Sequence, residues 1–66
     1  MRYLGLDQAT KVTGYAVFDD SKLVESAILE IPNAERFDIS QRFYIMSKKI
    51  STLVEKVKPD LVAIED

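Results

Sequence analysis

The sequence predicts a small α/β domain with the element order β-β-β-α-β. Three observations predict it: short runs of β-branched and aromatic residues in the first half, one apolar stripe at helical spacing in the second half, and a last apolar run after a proline. The 66 residues are 47% hydrophobic and 30% charged. These values suit a single small globular domain near the lower size limit for independent folding.

The first two strands are predicted at Arg2–Leu6 and Thr13–Phe18, joined by the turn Gln8–Val12. The second strand is rich in β-branched and aromatic residues. Because side chains alternate along a strand, Asp7 faces the opposite side of the sheet from Leu6. A carboxylate that directly follows an apolar strand therefore points away from the face that carries Leu6.

A polar turn, Asp19–Lys22, leads to a third strand at Leu23–Ile31, whose imperfect alternation favours a position at the edge of the sheet. A helix then begins at Asp38, with Gln41 in the capping-box position, and ends before Pro59. Its apolar residues recur at steps of three and four, so we expect them all to face the core. They are Ile39, Phe43, Met46, Ile50, Leu53 and Val57.

The fourth strand is predicted at Leu61–Ile64 and ends in Glu65. The crossover from strand three through the helix should be right-handed and should return the chain parallel to strand one. The simplest result is a mixed sheet of order 3-2-1-4. In that sheet Asp7 pairs with Glu65, so two acids meet at the carboxyl ends of adjacent parallel strands, where α/β sheets commonly bind ligands.

Two neighbouring carboxylates could share one hard cation, because Mg²⁺ and Mn²⁺ both prefer oxygen ligands. The chain contains no cysteine and no histidine, which excludes thiolate and imidazole chemistry. No third carboxylate is evident from the sequence, although nucleases with two metal ions generally use more than two. The structural alternative is that Asp7 and Glu65 are merely solvated acids at strand ends.

Charge and hydropathy narrow the function further. The net charge of −2 gives no strong basic field for nucleic acid, although Lys11 in the first turn could contact a phosphate. A lysine in a turn is more often simply solvated, so this is the commoner interpretation of Lys11. No apolar run approaches the ~20 residues of a membrane span and no signal peptide is evident, so we expect a cytoplasmic protein without membrane contact. The chain stops just after an apolar strand, which favours a fragment of a longer protein.

Two stretches resemble RuvC-type Holliday junction resolvases. The first is Leu-Gly-Leu-Asp-Gln-Ala-Thr-Lys-Val-Thr-Gly-Tyr-Ala-Val, residues 4–17, which is similar to the strand, Asp, turn and Thr-Gly-Tyr strand that open that family. The second is Gln41-Arg42-Phe43 followed, after the helix, by Lys-Pro-Asp-Leu-Val-Ala-Ile-Glu, residues 58–65. Together they extend over nearly the whole chain.

The resemblance implies a ribonuclease H-like fold, here truncated, in which residues 1–66 form the N-terminal part of a single nuclease domain. It implies cleavage of branched DNA that depends on Mg²⁺ or Mn²⁺, a homodimer, and Asp7 and Glu65 as the first two metal-binding catalytic acids. Gln8-Ala9 stands where the bacterial family usually has Pro-Gly, which places the chain closer to phage-type relatives. The fragment alone is expected to be inactive as a nuclease and to self-associate.

Two other classes remain open. ATP-binding domains of the actin, Hsp70 and sugar-kinase type also have an Asp before their first hairpin, but their turn is rich in glycine, whereas Gln8-Ala9-Thr10 has none. A catalytically silent ribonuclease H-like module that serves as a binding partner is the third possibility.

Overall fold

The computed structural model describes residues 1–65 and confirms the predicted order of elements. A short 3₁₀ turn that the sequence did not indicate lies between the third strand and the helix. The elements are β1 (Arg2–Asp7), β2 (Val12–Asp19), β3 (Lys22–Glu30), the 3₁₀ turn (Ala34–Arg36), α1 (Ile39–Val57) and β4 (Leu61–Glu65).

The four strands form one sheet in the order β3-β2-β1-β4, as predicted. β1 pairs antiparallel with β2 and parallel with β4, so the sheet is mixed. β3 lies at an edge, also as predicted. Gly5 lies opposite Ala63, and Asp7 lies opposite Glu65. The register expected from the sequence is therefore confirmed.

A β-bulge explains why the alternation in β3 is imperfect. Along β2 the partner changes from Glu25 opposite Val17 to Leu23 opposite Phe18, which leaves Val24 as an extra residue. A bulge of this kind shifts the two-residue repeat by one position. Val24 is 48% exposed, as expected for a residue outside the regular pairing.

The helix α1 begins and ends on the predicted signals. The Gln41 backbone N–H donates to the Asp38 side chain (2.8 Å), and the Asp38 N–H donates to the Gln41 side chain (2.9 Å). Lys58 ends the helix in the left-handed conformation (φ 52°), and its N–H donates to the Val54 carbonyl. No helix within residues 1–65 is both long enough and apolar enough to cross a membrane.

One helix face packs on one sheet face to form the core. Leu4, Leu6 and Val17 of the sheet contact Leu53 and Val57 of α1, and all five side chains are buried. A second buried cluster, made of Ile31, Ala34 and Met46, ties the first half of α1 to the segment after β3. The helix therefore lies on the half of the sheet nearer β3, and every residue of β4 is exposed.

The prediction that the whole helical stripe faces the core is wrong for two residues. Ile39 is 59% exposed and Phe43 is 53% exposed. Met46 anchors the first half of α1 on Ile31 and Ala34, so the side of the helix that carries Ile39 and Phe43 turns away from this cluster. Phe43 instead borders a depression of about 330 Å³ together with Ile64 and the loop after β1.

A polar cluster at the end of the sheet away from Asp7 joins β1 to β4. The Arg2 N–H donates to the Asp60 carboxylate (2.7 Å), and the Asp60 N–H donates to the Arg2 carbonyl (2.8 Å). The Arg2 guanidinium also donates to the Asp19 carboxylate (2.7 Å) and to the Val57 carbonyl (3.0 Å). This clamp fixes where β4 begins relative to β1.

Candidate metal and nucleic-acid site

The two predicted acids, Asp7 and Glu65, lie side by side at the end of the sheet where β1 and β4 terminate. Asp7 and Glu65 each end their strand, and they are paired residues in the parallel ladder between β1 and β4. Adjacent strands lie about 4.8 Å apart, and paired residues direct their side chains to the same face. Both residues are exposed. The arrangement places two carboxylates within reach of a single ion.

Small residues surround the pair and keep the space beside it open. Asp7 and Glu65 border an open depression of about 510 Å³ on the sheet face opposite the helix. A Cβ added to Gly14 would lie 4.0 Å from the Asp7 Cβ, an ordinary contact, so the missing side chain there creates space rather than relieving a clash. The other residues that line it are Gly5, Leu6, Tyr15, Ala16, Ala63 and Ile64.

The donor set suits a hard divalent ion. Among the described residues, neither Asp7 nor Glu65 makes a side-chain hydrogen bond or an ion pair, so their oxygens remain available. No group of three acidic, histidine or cysteine side chains within residues 1–65 converges on one point. Mg²⁺ often takes only one or two protein carboxylates and keeps water or substrate phosphate as its other ligands. The pair fits such an ion.

Lys11 lies at the same end of the sheet as Asp7 but outside the depression that borders Asp7 and Glu65. Its Nζ is 3.9 Å from a Glu35 carboxylate oxygen, and it borders a separate depression formed with the 3₁₀ turn and the end of β3. Both partners are largely exposed, so the pair is weak. The structure thus brings Asp7 and Glu65 together but does not add Lys11 to their site.

Thr13 holds the turn that follows Asp7, a role that the sequence analysis missed. Among residues 1–65 it is the only buried polar side chain. Its hydroxyl donates to the Ala9 carbonyl (3.3 Å) and accepts from the Ala9 N–H (3.5 Å). The sequence did carry a signal for this role. Thr13 lies near the start of β2, four residues after Ala9 in the turn, and threonine hydroxyls commonly bond nearby backbone groups.

Comparison with known proteins gives relatives named crossover junction endodeoxyribonuclease RuvC. The chain is 38% identical over 69 aligned residues to the crossover junction endodeoxyribonuclease RuvC of Burkholderia vietnamiensis (strain G4 / LMG 22486), an alignment that covers 98% of the chain and 37% of the relative. It is 36% identical to the protein of the same name from Burkholderia cenocepacia (strain HI2424), with the same coverage. The chain thus spans little more than a third of the length of these relatives.

No protein-family model matches the chain, and no solved structure matches it. The element order and the mixed 3-2-1-4 sheet are those of a truncated ribonuclease H-like α/β domain. Within that class the chain is a relative of the RuvC-type resolvases, as the resemblance in its two motif stretches predicted.

Proposed function

We propose that this chain supplies the first two metal-binding acids of a nuclease domain that cleaves branched DNA, including Holliday junctions, in the cytoplasm. The observation that supports the proposal most directly is the register that pairs Asp7 with Glu65 at the carboxyl ends of two parallel strands. The relatives named crossover junction endodeoxyribonuclease support the choice of substrate. Residues 1–66 are proposed as the N-terminal part of that domain, which acts as a homodimer.

In this proposal Asp7 and Glu65 hold Mg²⁺ or Mn²⁺ through carboxylate oxygens. A bound ion of this kind supplies positive charge to the phosphate oxygens of the bond that is cut. The protein's own contribution is to hold both acids at the ends of rigid strands and to leave an open surface beside them, where a phosphodiester backbone can approach. The small residues of that surface, such as Gly5 and Ala63, allow this approach.

The chain by itself is proposed to be inactive as a nuclease. Cleavage by two metal ions clamps both the attacking and the leaving oxygen, and it needs more ligands than two carboxylates provide. Within residues 1–65 no third acid joins Asp7 and Glu65. Incubation of the purified chain with a four-way DNA junction and Mg²⁺ or Mn²⁺ should give no specific cleavage products.

Metal binding can be tested directly on the chain. Addition of Mn²⁺ should broaden the NMR signals of residues near Asp7 and Glu65 before those elsewhere, because the ion is paramagnetic. Asp7→Asn and Glu65→Gln should each remove this broadening. Glu30→Gln is the matched control. Glu30 also ends a strand, at the same end of the sheet as Asp7, but its strand β3 lies two positions from β1 in the sheet. Broadening centred on Glu30 would reject the assignment.

Catalysis can be tested in a chimera in which this chain replaces the aligned third of the Burkholderia vietnamiensis relative. The chimera should cleave a four-way junction, and Asp7→Asn or Glu65→Gln should abolish cleavage while leaving junction binding largely intact, because each change removes a ligand charge but keeps side-chain size. A variant that cuts at the parent rate would exclude that acid from the site.

Lys11 is proposed to contact a DNA phosphate near the cleavage site. Its weak pairing with Glu35 leaves the ammonium group free to change partner. In the same chimera, Lys11→Ala should weaken junction binding and lower the salt dependence of binding by about one phosphate contact. Lys22→Ala, at the opposite end of the sheet, should leave both unchanged. Equal effects of the two changes would argue against a specific role for Lys11.

The relatives favour the nuclease over the ATP-binding alternative. The catalytically silent module shares the fold, and the cleavage assay separates it from the nuclease: a folded chimera that binds the junction and never cuts it would favour the silent module.

A further inference from the structure

Asp7 belongs to the last residue pair of the ladder between β1 and β2. It is the final residue of β1 and lies opposite Gly14. At the other end of this ladder the Asp20 N–H donates to the Met1 carbonyl, which makes these two residues a hydrogen-bonded pair. Because such pairs alternate along an antiparallel ladder, Asp7 and Gly14 also form one. The ends of a ladder open first, so the position of the Asp7 carboxylate depends on what keeps this last pair closed.

The Thr13 hydroxyl closes this end of the ladder in place of a further backbone pair. Continuation of the register would place Ala9 opposite Val12, but within residues 1–65 no backbone group bonds to Ala9. The Thr13 hydroxyl instead donates to the Ala9 carbonyl (3.3 Å) and accepts from the Ala9 N–H (3.5 Å). One side chain therefore satisfies both backbone groups of the turn residue that lies two positions after Asp7.

The surroundings of Thr13 favour an apolar side chain, so packing alone does not explain the hydroxyl. Thr13 is completely buried and lies opposite Leu29, which packs against both buried clusters on the helix side of the sheet. A hydroxyl removed from water is costly unless it is hydrogen bonded, and the side-chain bonds of Thr13 go to Ala9. Complete burial also means that these bonds do not depend on any contact outside residues 1–65.

A second hydrogen bond holds the far half of the turn. The Ile31 N–H donates to the Lys11 carbonyl (3.1 Å), and Ile31 is itself buried in the cluster under the first half of α1. This bond attaches the turn to the end of β3. Among the hydrogen bonds of the described chain, those of Thr13 to Ala9 are the ones that restrain the half of the turn adjoining Asp7.

We propose that Thr13 is a positioning residue of the metal site: it keeps the pair of Asp7 and Gly14 closed and so holds Asp7 beside Glu65. The inference rests on the metal site proposed above. If Asp7 were free to leave the ladder, binding of the ion would have to order it, and this ordering lowers affinity. Replacement of a side chain that bonds a metal ligand directly lowers metal affinity by about 10–100-fold. Thr13 acts through the backbone, so we expect a smaller effect.

The first test is an Mn²⁺ titration of the whole chain, followed by the broadening of NMR signals near Asp7 and Glu65. Thr13→Val keeps the size of the side chain and removes both bonds to Ala9, so it should raise the Mn²⁺ dissociation constant by about three- to tenfold. Thr13→Ser keeps the hydroxyl and should bind like the parent chain. Parent-like binding by Thr13→Val, or binding by Thr13→Ser as weak as that of Thr13→Val, would overturn the proposal.

Val17→Ala is the matched control for a general loss of stability. Val17 is buried on the same strand and the same face as Thr13, but it makes no contact with the turn through hydrogen bonds. The change should lower the urea midpoint and leave the Mn²⁺ dissociation constant of the folded chain unchanged. Equal weakening by Val17→Ala and Thr13→Val would reject a specific role for Thr13. Absence of binding by the parent chain would instead reject the metal site itself.

Amide hydrogen exchange on the parent chain gives a test that needs no variant, and it decides the matter if Thr13→Val does not fold. If the Thr13 bonds and the last pair of the ladder open together, the amides of Ala9 and Asp7 should have protection factors of the same order. An Ala9 amide that exchanges like an unprotected turn amide, while the Asp7 amide stays protected, would show that the turn opens independently of Asp7 and would overturn the proposal.

Discussion

Replacement of Leu4 by alanine tests the central feature of the fold, the single helix that covers a single sheet face. Leu4 lies on β1 in the middle of the core cluster and is completely buried. The change removes three carbons, which costs about 2.4 kcal/mol at roughly 0.8 kcal/mol each. The cavity left under α1 adds to this, so we expect a loss of about 3–5 kcal/mol in the free energy of unfolding.

The size of the chain makes this loss decisive. Small domains have about 0.05–0.15 kcal/mol of stability per residue, which gives roughly 3–10 kcal/mol for 66 residues. Leu4→Ala should therefore leave the chain partly or wholly unfolded at room temperature. Ile28→Ala is the control, because Ile28 lies on β3 and is 60% exposed, so less than half of its side chain is removed from water. We expect it to cost about 1 kcal/mol or less.

Urea unfolding followed by far-ultraviolet circular dichroism measures both variants. The protein concentration should be kept low, so that association does not add to the apparent stability. Equal losses for Leu4→Ala and Ile28→Ala would refute the packing described above, because they would mean that the helix does not distinguish the two faces of the sheet.

Three further outcomes follow from the polar contacts. Asp38→Ala should lower the free energy of unfolding by about 1 kcal/mol through loss of the helix cap, whereas Asp38→Asn should cost less, as chemical denaturation will show. The hydrogen bond from the Arg2 guanidinium lowers the pKa of Asp19 below its ordinary value of 3.8. The stability from this pair is therefore present above pH 3.8 and is lost as the pH falls through the lowered pKa. Asp19→Asn should flatten the acid limb of a plot of melting temperature against pH. The hydrogen bond from the Tyr15 hydroxyl to Glu25 raises the pKa of Tyr15, so Glu25→Gln should shift the ultraviolet titration of this phenol to lower pH.

The sequence was sufficient to predict the sheet order and the pairing of Asp7 with Glu65. Both follow from local periodicity, because strand alternation fixes the face of each acid and a crossover through one helix fixes the direction of β4. The capping box at Asp38 was predictable for the same reason, since it involves only residues close in sequence. These features depend on distances along the chain.

The features that the sequence did not reveal depend on contacts between distant residues. Phe43 belongs to a regular apolar stripe, but its exposure depends on Met46 packing against the segment after β3. The extra residue Val24 depends on pairing with β2, and the buried hydroxyl of Thr13 depends on the course of the preceding turn. A one-dimensional pattern identifies which residues are apolar, but it does not determine how far one helix extends over a four-stranded sheet.

The geometry of the acid pair depends on the far end of the sheet. If β4 slipped by one residue, Ile64 would lie opposite Asp7 and the Glu65 side chain would turn to the helix side of the sheet. The two hydrogen bonds between Arg2 and Asp60 oppose this slip, because they fix Asp60, the residue just before β4, against Arg2, the first residue of β1. Within residues 1–65, β4 has one neighbouring strand and all of its residues are exposed, so few other contacts of the described chain specify its register. The residues that position the candidate metal site therefore include a clamp at the opposite end of the same two strands.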